Sequence, residues 1–94
     1  MKKELSFILD IFGIENQFNK TLEELSELST KIYHYRDNKC NVIELMDEIV
    51  DVDIMISQLK IYFDEEVIEE YKKAKIERTL KRIESGYYGV QDGK

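Results

Sequence analysis

The sequence has no proline and no tryptophan, and only four glycines, one cysteine and one histidine among its 94 residues. Few helix breakers combined with abundant leucine, isoleucine, glutamate and lysine favour an almost entirely helical chain. The lone Cys40 excludes an internal disulfide and suits a reducing compartment, so we expect a cytoplasmic protein. No apolar run is long enough to span a membrane, and Glu4 and Asp10 interrupt the first residues in a way that signal peptides do not.

Positive charge is outnumbered, since 20 acidic residues against 14 lysines and arginines give a formal net charge of −6. A phosphate backbone is bound by a basic face, so we expect no nucleic-acid polymer and no membrane as a partner. At this length one domain with a modest core is expected, and oligomerisation often completes the burial in such small domains. We therefore predict one helical domain over residues 1–86 and a flexible tail over residues 87–94, assembled as a homodimer or homotetramer.

Apolar periodicity and capping residues predict four helices, which short connections would join into an all-α, four-helix bundle-like fold. Their predicted ranges are residues 2–11, about 15–36, 42–63 and 65 to about 85. Asn41 and Asp64 are predicted N-caps of the third and fourth helices. In the second helix one stripe recurs at three- and four-residue intervals and is predicted to be buried: Phe18, Leu22, Leu25, Leu28 and Ile32.

Two helices each carry a pair of acidic residues three positions apart, Glu24 with Glu27 and Glu48 with Asp51. Residues with this spacing lie about 60° apart around a helix, so each pair forms a fork of carboxylates on one face. If the two forks face each other, four negative charges lie close together. Such a pocket requires raised pKa values or bound divalent cations, and we adopt the cations as the hypothesis.

The first fork has an ordinary explanation as well. Twenty acidic residues in the chain will produce this spacing by chance. Lys20 with Glu24, or Glu27 with Lys31, would make common surface ion pairs between residues four apart. On sequence grounds alone, the surface interpretation and the metal interpretation of Glu24 and Glu27 both stay open.

The second fork is less easily explained as surface charge, because Glu48 projects from the middle of an apolar arc. A carboxylate there is expected to be mostly removed from water, where burial without a partner is unfavourable. A basic residue, a shared proton or a metal could satisfy it, and the matching fork favours the metal. The neighbours that lie within about 60° of Glu48 around the helix are Leu45, Val52, Met55 and Leu59.

All four candidate ligands are carboxylates, whereas His34 and Cys40 lie outside the forks. Oxygen ligands of this kind favour a hard cation over zinc or copper. We therefore predict Mg²⁺, with Mn²⁺ as the alternative.

At these residues the sequence resembles a known family. The pattern Glu23-Glu24-x-x-Glu27 followed by Glu48-x-x-Asp51 is similar to the signature of the MazG-like, all-α nucleoside triphosphate pyrophosphohydrolases. Flanking blocks at residues 12–17, 48–59 and 75–83 resemble the short single-domain branch often carried by phages. The resemblance covers roughly residues 10 to 83.

The resemblance implies divalent-metal-dependent hydrolysis of a (deoxy)nucleoside triphosphate to a monophosphate and pyrophosphate, a reaction that clears unwanted nucleotides from the pool. It implies that Glu24, Glu27, Glu48 and Asp51 hold the metal. Glu23 lies about 100° around the helix from Glu24, so it would instead orient or deprotonate the attacking water.

Substrate contacts are also expected from the resemblance. Gln17 would meet the base or sugar and Lys20 a phosphate, while Lys75, Arg78 and Arg82 on one face of the fourth helix would meet phosphate oxygens. The three basic residues could instead simply complement the helix dipole. The alternative for the whole chain is a non-catalytic helical oligomerisation or interaction module whose acidic faces only keep it dissolved.

Overall fold

The computed structural model describes residues 1–89, which form four α-helices and no strand. The helices are α1 (Lys2–Phe12), α2 (Ile14–Arg36), α3 (Val42–Phe63) and α4 (Glu65–Glu84). The predicted all-α class with four helices is confirmed. Within the described residues, no helix is both long and apolar enough to cross a membrane.

The helix ends lie where local side chains and glycine allow them. Gly13 separates α1 from α2 at φ 82°, a left-handed backbone conformation that glycine adopts without strain. Asn41 Oδ1 accepts a hydrogen bond from the Glu44 backbone N–H at 2.9 Å, and Asp64 Oδ1 accepts one from the Val67 N–H at 3.1 Å. Both predicted N-caps are therefore confirmed.

The chain divides into two compact units, with the boundary between Phe63 and Asp64. In the first unit, α2 and α3 form an antiparallel hairpin against which α1 packs. Phe18 near the start of α2 stacks on Phe63 at the end of α3, with ring centroids 6.2 Å apart. At the other end of the hairpin, Lys31 Nζ lies 4.0 Å from Glu44 Oε2. These contacts set α2 and α3 side by side along their length.

The face of α2 that is buried differs from the prediction. Leu22, Leu25 and Ile32 are exposed, so the predicted apolar stripe is not the buried one. The buried residues of α2 are Gln17, Thr21 and Glu24. The prediction was wrong because periodicity identifies an apolar face but not the element that covers it, and here α3 packs on the polar side.

The second unit contains α4, which begins with the acidic residues Glu65 and Glu66 and carries the basic residues Lys81 and Arg82 in its last turn. This charge order complements the helix dipole at both ends. Beyond the helix, the Arg82 guanidinium lies over the Tyr87 ring, 4.8 Å from its centroid. Of the predicted tail over residues 87–94, only 87–89 belong to the described part, and residues 90–94 lie outside it.

Candidate functional site

Three of the four predicted metal ligands come together between α2 and α3. Glu24, Glu27 and Glu48 each offer a carboxylate oxygen, and these oxygens all lie within 4.8 Å of one another. We call these three residues the carboxylate cluster. Glu24 is buried, Glu48 is half-buried and Glu27 is exposed, so the cluster extends from the helix interface to the surface.

Two oxygens of the carboxylate cluster are buried without a partner. Glu24 Oε2 and Glu48 Oε2 accept no hydrogen bond from any described residue. A buried carboxylate oxygen without a donor is costly, because the protein has not replaced the water that it loses. These two oxygens are therefore available to an external cation or donor.

Burial and like charge both raise the pKa values of the second fork, Glu48 and Asp51. Burial raises the pKa of Glu48 above its usual value, and repulsion from Glu27, Glu24 and Asp51 raises it further against a smaller opposing effect of Lys31. Burial likewise raises the pKa of Asp51, with added repulsion from Glu24. Asp51 is not among the residues whose oxygens lie within 4.8 Å of one another, but its carboxylate is repelled by that of Glu24.

Lys20 is a basic residue of α2 that forms an ion pair with Glu24 of the cluster. Its Nζ lies 3.1 Å from Glu24 Oε1 and 3.7 Å from Glu23 Oε2. The hydrogen bond to Glu24 and the attraction of both carboxylates raise the pKa of Lys20. The ion pair expected under the surface interpretation of the first fork therefore exists, although Glu24 itself is only 6% exposed.

A cavity of about 390 Å³ lies beside the cluster, among α1, α2 and α3. Lys20 and Glu23 border it, so it adjoins the carboxylates through side chains that already contact Glu24 or Lys20. Its walls also include Phe12, Gln17 and Gln58. We call it the amide cavity, because carboxamide side chains line it.

Gln17 is not a surface residue but half of a buried amide pair. Its Nε2 donates to Gln58 Oε1 at 2.7 Å, which joins α2 to α3. Gln58 is 1% exposed and was missed in the sequence, although it shares a helical face with Asp51 and Met55. A glutamine on the buried face of so apolar a helix was the available signal.

A second cleft opens at the cluster itself. It has a volume of about 280 Å³ and is bordered by Glu27, Glu48, Lys31 and His34. The cleft thus includes two residues of the carboxylate cluster, whereas the amide cavity adjoins the cluster only through Lys20 and Glu23. Lys31 was not singled out as a substrate contact in the sequence.

The remaining predicted contacts belong to the second unit. Arg78 and Arg82 border a cleft of about 470 Å³ along the last turns of α4. Lys75 borders a different cleft with Tyr71 and Ile76. Comparison of the chain with protein-family models, with curated proteins and with solved structures gives no match.

Proposed function

We propose that the chain is a divalent-metal-dependent pyrophosphohydrolase that converts (deoxy)nucleoside triphosphates to monophosphate and pyrophosphate. The supporting observation is the carboxylate cluster, whose oxygens lie within 4.8 Å of one another and include two buried oxygens without a described partner. Repulsion and burial both oppose this arrangement, so folding stability alone does not account for it. A ligand that brings positive charge would account for it.

The donor set suits a hard cation. Glu24, Glu27, Glu48 and Asp51 would hold Mg²⁺, or Mn²⁺ in its place, because all four offer only carboxylate oxygens. The unpartnered Oε2 atoms of Glu24 and Glu48 are the first positions to be satisfied. When bound, the divalent cation supplies positive charge that offsets the charge of the triphosphate.

Two further residues would bind the substrate and transfer a proton. Lys20, at the border of the amide cavity, would contact a phosphate oxygen. Glu23 borders the same cavity and would accept the proton of the attacking water as the bond between the α and β phosphates breaks. The monophosphate would keep the base, and pyrophosphate would leave.

Further parts of the proposal concern the assembly and the second unit. Lys75, Arg78 and Arg82 would contact phosphate oxygens of the substrate. A homodimer or homotetramer would complete the bundle-like MazG fold, and the exposure of Leu22, Leu25 and other apolar residues of the first unit supports such assembly. The reaction would serve the nucleotide pool of the cytoplasm.

The same exposed apolar residues also favour a second candidate, a non-catalytic helical interaction module. On α3, Ile43, Met46 and Val50 are exposed, each at 50% or more of its surface. A module of this kind would associate through its apolar faces without turning over any nucleotide. The two candidates differ in one measurable property, which is hydrolysis.

The deciding experiment is incubation of the purified chain with a panel of NTPs and dNTPs plus Mg²⁺ or Mn²⁺, with the products resolved by chromatography. Monophosphate and pyrophosphate should appear in equal amounts and only with the metal. Release of orthophosphate and diphosphate would contradict the proposed cleavage position. No turnover of any nucleotide, together with no metal binding by calorimetry, would leave the interaction module.

A further inference from the structure

The cleft at the carboxylate cluster combines hydrogen-bond donors with candidate metal ligands. Its volume of about 280 Å³ is just below the range of about 300–1,000 Å³ that is typical of sites for drug-sized ligands, so it suits a small ion. Glu27 and Glu48 of the cluster border it. The other residues that border it can all donate hydrogen bonds, through hydroxyl, ammonium or imidazole groups: Ser26, Thr30, Lys31 and His34. We call it the polar cleft.

His34 borders the polar cleft without joining the candidate metal ligands. Among the described residues, only Glu24, Glu27 and Glu48 have ligand atoms that all lie within 4.8 Å of one another, and the imidazole nitrogens of His34 are outside that set. A ligand that contacts both a cation on the cluster and His34 must therefore extend along the cleft. Two phosphates joined by a bridging oxygen are such a ligand, because their oxygens bind Mg²⁺ and accept hydrogen bonds from lysine and histidine.

Lys31 is more available to an anion than Lys20 is. Lys20 Nζ lies 3.1 Å from an oxygen of the buried Glu24 and 3.7 Å from Glu23, whereas the described ion pair of Lys31 is with Glu44 at 4.0 Å. Half of the Glu44 side chain is exposed, and a surface ion pair of this length contributes little to stability. Lys31 can therefore leave its partner at a lower cost than Lys20, which would leave a buried carboxylate unpaired.

The amide cavity and the polar cleft lie at successive levels along both helices of the hairpin. Residues 16–23 of α2 and 54–58 of α3 contribute to the cavity, whereas residues 26–34 of α2 and Glu48 of α3 contribute to the cleft. Glu23, the proposed acceptor of the proton from water, borders the cavity. In phosphoryl transfer the attacking and leaving oxygens lie roughly in line, on opposite sides of the phosphorus. A water that attacks from the level of Glu23 would therefore expel the leaving group toward the polar cleft.

The atoms of this step balance without a further reactant. The water oxygen forms a bond to the α phosphorus, and the bond between that phosphorus and the bridging oxygen breaks. The bridging oxygen and its electron pair leave with pyrophosphate, and the proton of the water passes to Glu23.

We propose that the polar cleft is the binding site of the pyrophosphate group, with Lys31 and His34 contacting its oxygens at the end away from the carboxylate cluster. This inference rests on the proposed nucleotide hydrolysis, and it adds two binding residues to Lys20. Without a cation, Glu27 and Glu48 repel an anion from the cleft. Pyrophosphate and the divalent cation should therefore each increase the affinity of the chain for the other.

The first test is calorimetric titration of pyrophosphate into the full chain, at saturating Mg²⁺ and again with a chelator. We expect binding with Mg²⁺ and no detectable binding with the chelator. Lys31→Gln should weaken the binding of pyrophosphate in Mg²⁺ at least about tenfold, the scale of one hydrogen bond between charged groups. Wild-type affinity in Lys31→Gln, or no binding by the wild type at millimolar pyrophosphate, would overturn the inference.

Lys39→Gln is the matched control, because it makes the same change of charge in the turn after α2, outside the polar cleft. It should keep the wild-type affinity for pyrophosphate. The affinity for Mg²⁺ alone is a second control, and Lys31→Gln should leave it unchanged or raise it, because the attraction between Lys31 and Glu48 competes with a cation. Weaker binding of Mg²⁺ would trace the effect of Lys31→Gln to a damaged metal site and would contradict a direct contact.

The second test uses the wild-type chain, in which His34 is the only histidine. Its imidazole signals in NMR spectra can therefore be assigned without a variant. At saturating Mg²⁺, addition of pyrophosphate should shift these signals with the same affinity that calorimetry measures. Imidazole signals that stay in place while calorimetry reports binding would show that the anion binds outside the polar cleft.

Neither measurement needs turnover, so the inference and the proposed reaction can fail separately. Hydrolysis of triphosphates together with pyrophosphate binding that is insensitive to Lys31 and His34 would contradict the role of the polar cleft alone. Metal-dependent binding of pyrophosphate at both residues, without hydrolysis of any nucleotide, would contradict the reaction and keep the binding site.

Discussion

The two faces of α2 reverse the usual arrangement of an amphipathic helix. The face against α3 buries Gln17, Thr21 and Glu24, whereas Leu22 and Leu25, farther around the helix, are 66% and 43% exposed. A surface helix ordinarily buries its apolar stripe and exposes its polar residues. The reversal therefore requires one reason for the polar interior and another for the apolar exterior.

The inner face is held by specific contacts that remain incomplete. Thr21 Oγ1 donates to the Gln17 carbonyl oxygen at 2.6 Å, and Gln17 pairs with Gln58. The carboxylate of Glu24 is only partly satisfied, because Lys20 contacts one of its oxygens and the other has no described partner. Apolar residues at these positions would cost less free energy, and the proposed cation would account for the carboxylate of Glu24 here.

The largest expected effect comes from Glu48→Gln, which removes a charge from the inner face and keeps its shape. We expect kcat with Mg²⁺ to fall at least about 100-fold, since a proposed metal ligand is lost. The metal-free variant should unfold at a higher temperature than the wild type, because repulsion from Glu27 and Glu24 is relieved. Turnover assays and circular dichroism measure the two effects.

Asp53→Asn is the matched control for Glu48→Gln. It makes the same charge change on the same helix at an exposed position outside the cluster. It should leave both turnover and metal dependence close to wild type. Full activity of Glu48→Gln would show that the ligand assignment is wrong, and Asp51→Asn would then separate the role of the second fork from that of Glu48 alone.

Leu25→Lys tests whether the exposed apolar stripe of α2 forms an interface between copies of the chain. If the exposed stripe of α2 forms an interface between copies of the chain, a lysine there buries an unpaired charge, and the mass in solution should fall to that of the monomer. Thr30→Lys, about 140° around the helix from Leu25, should keep the wild-type mass. Light scattering after size exclusion measures both. A monomeric wild type would show that the stripe does not serve self-association.

The contrast between the two faces also shows which features of the fold and of the site could be predicted from the sequence. Helix boundaries depend on local chemistry, so the N-caps Asn41 and Asp64 were sufficient to predict where α3 and α4 begin. The partner of a helix face depends on tertiary packing, and hydrophobic periodicity could not indicate that α3 would cover Gln17 and not Leu22. The carboxylates were singled out because their three-residue spacing is a local feature of the sequence. The hydrogen bond between Gln17 and Gln58 joins two helices, so only the apolar surroundings of Gln58 in α3 could have indicated it.

The inner face also predicts a dependence of stability on pH. Because the pKa of Glu48 is raised above its ordinary value of 4.5, the folded state favours its protonated form, and the same holds for Asp51. Their contribution to stability is fully present below the unfolded pKa and is lost as pH rises through the folded pKa. With a chelator present, the midpoint of thermal unfolding should therefore rise as the pH is lowered from 7 toward about 5.

Saturating Mg²⁺ should flatten this dependence, because a bound cation favours the ionised carboxylates. Glu48→Gln should reduce it without metal and leave the part that is due to Asp51. A midpoint that falls steadily between pH 7 and pH 5 in the chelated wild type would contradict the sign of the effect.

The smallest expected effect is at Lys20, where the proposed substrate would meet the inner face. Lys20→Gln removes the cation that partly neutralises Glu24, so Mg²⁺ should bind somewhat more tightly, as measured by calorimetry. If Lys20 also contacts a phosphate, KM for the triphosphate should rise by less than about tenfold, the scale expected for an exposed charge. A rise in KM together with tighter metal binding assigns both tasks to Lys20, because loss of a counterion alone would change only the metal affinity. An unchanged KM would reduce Lys20 to the partner of Glu24, and the phosphate contact would have to come from another basic residue.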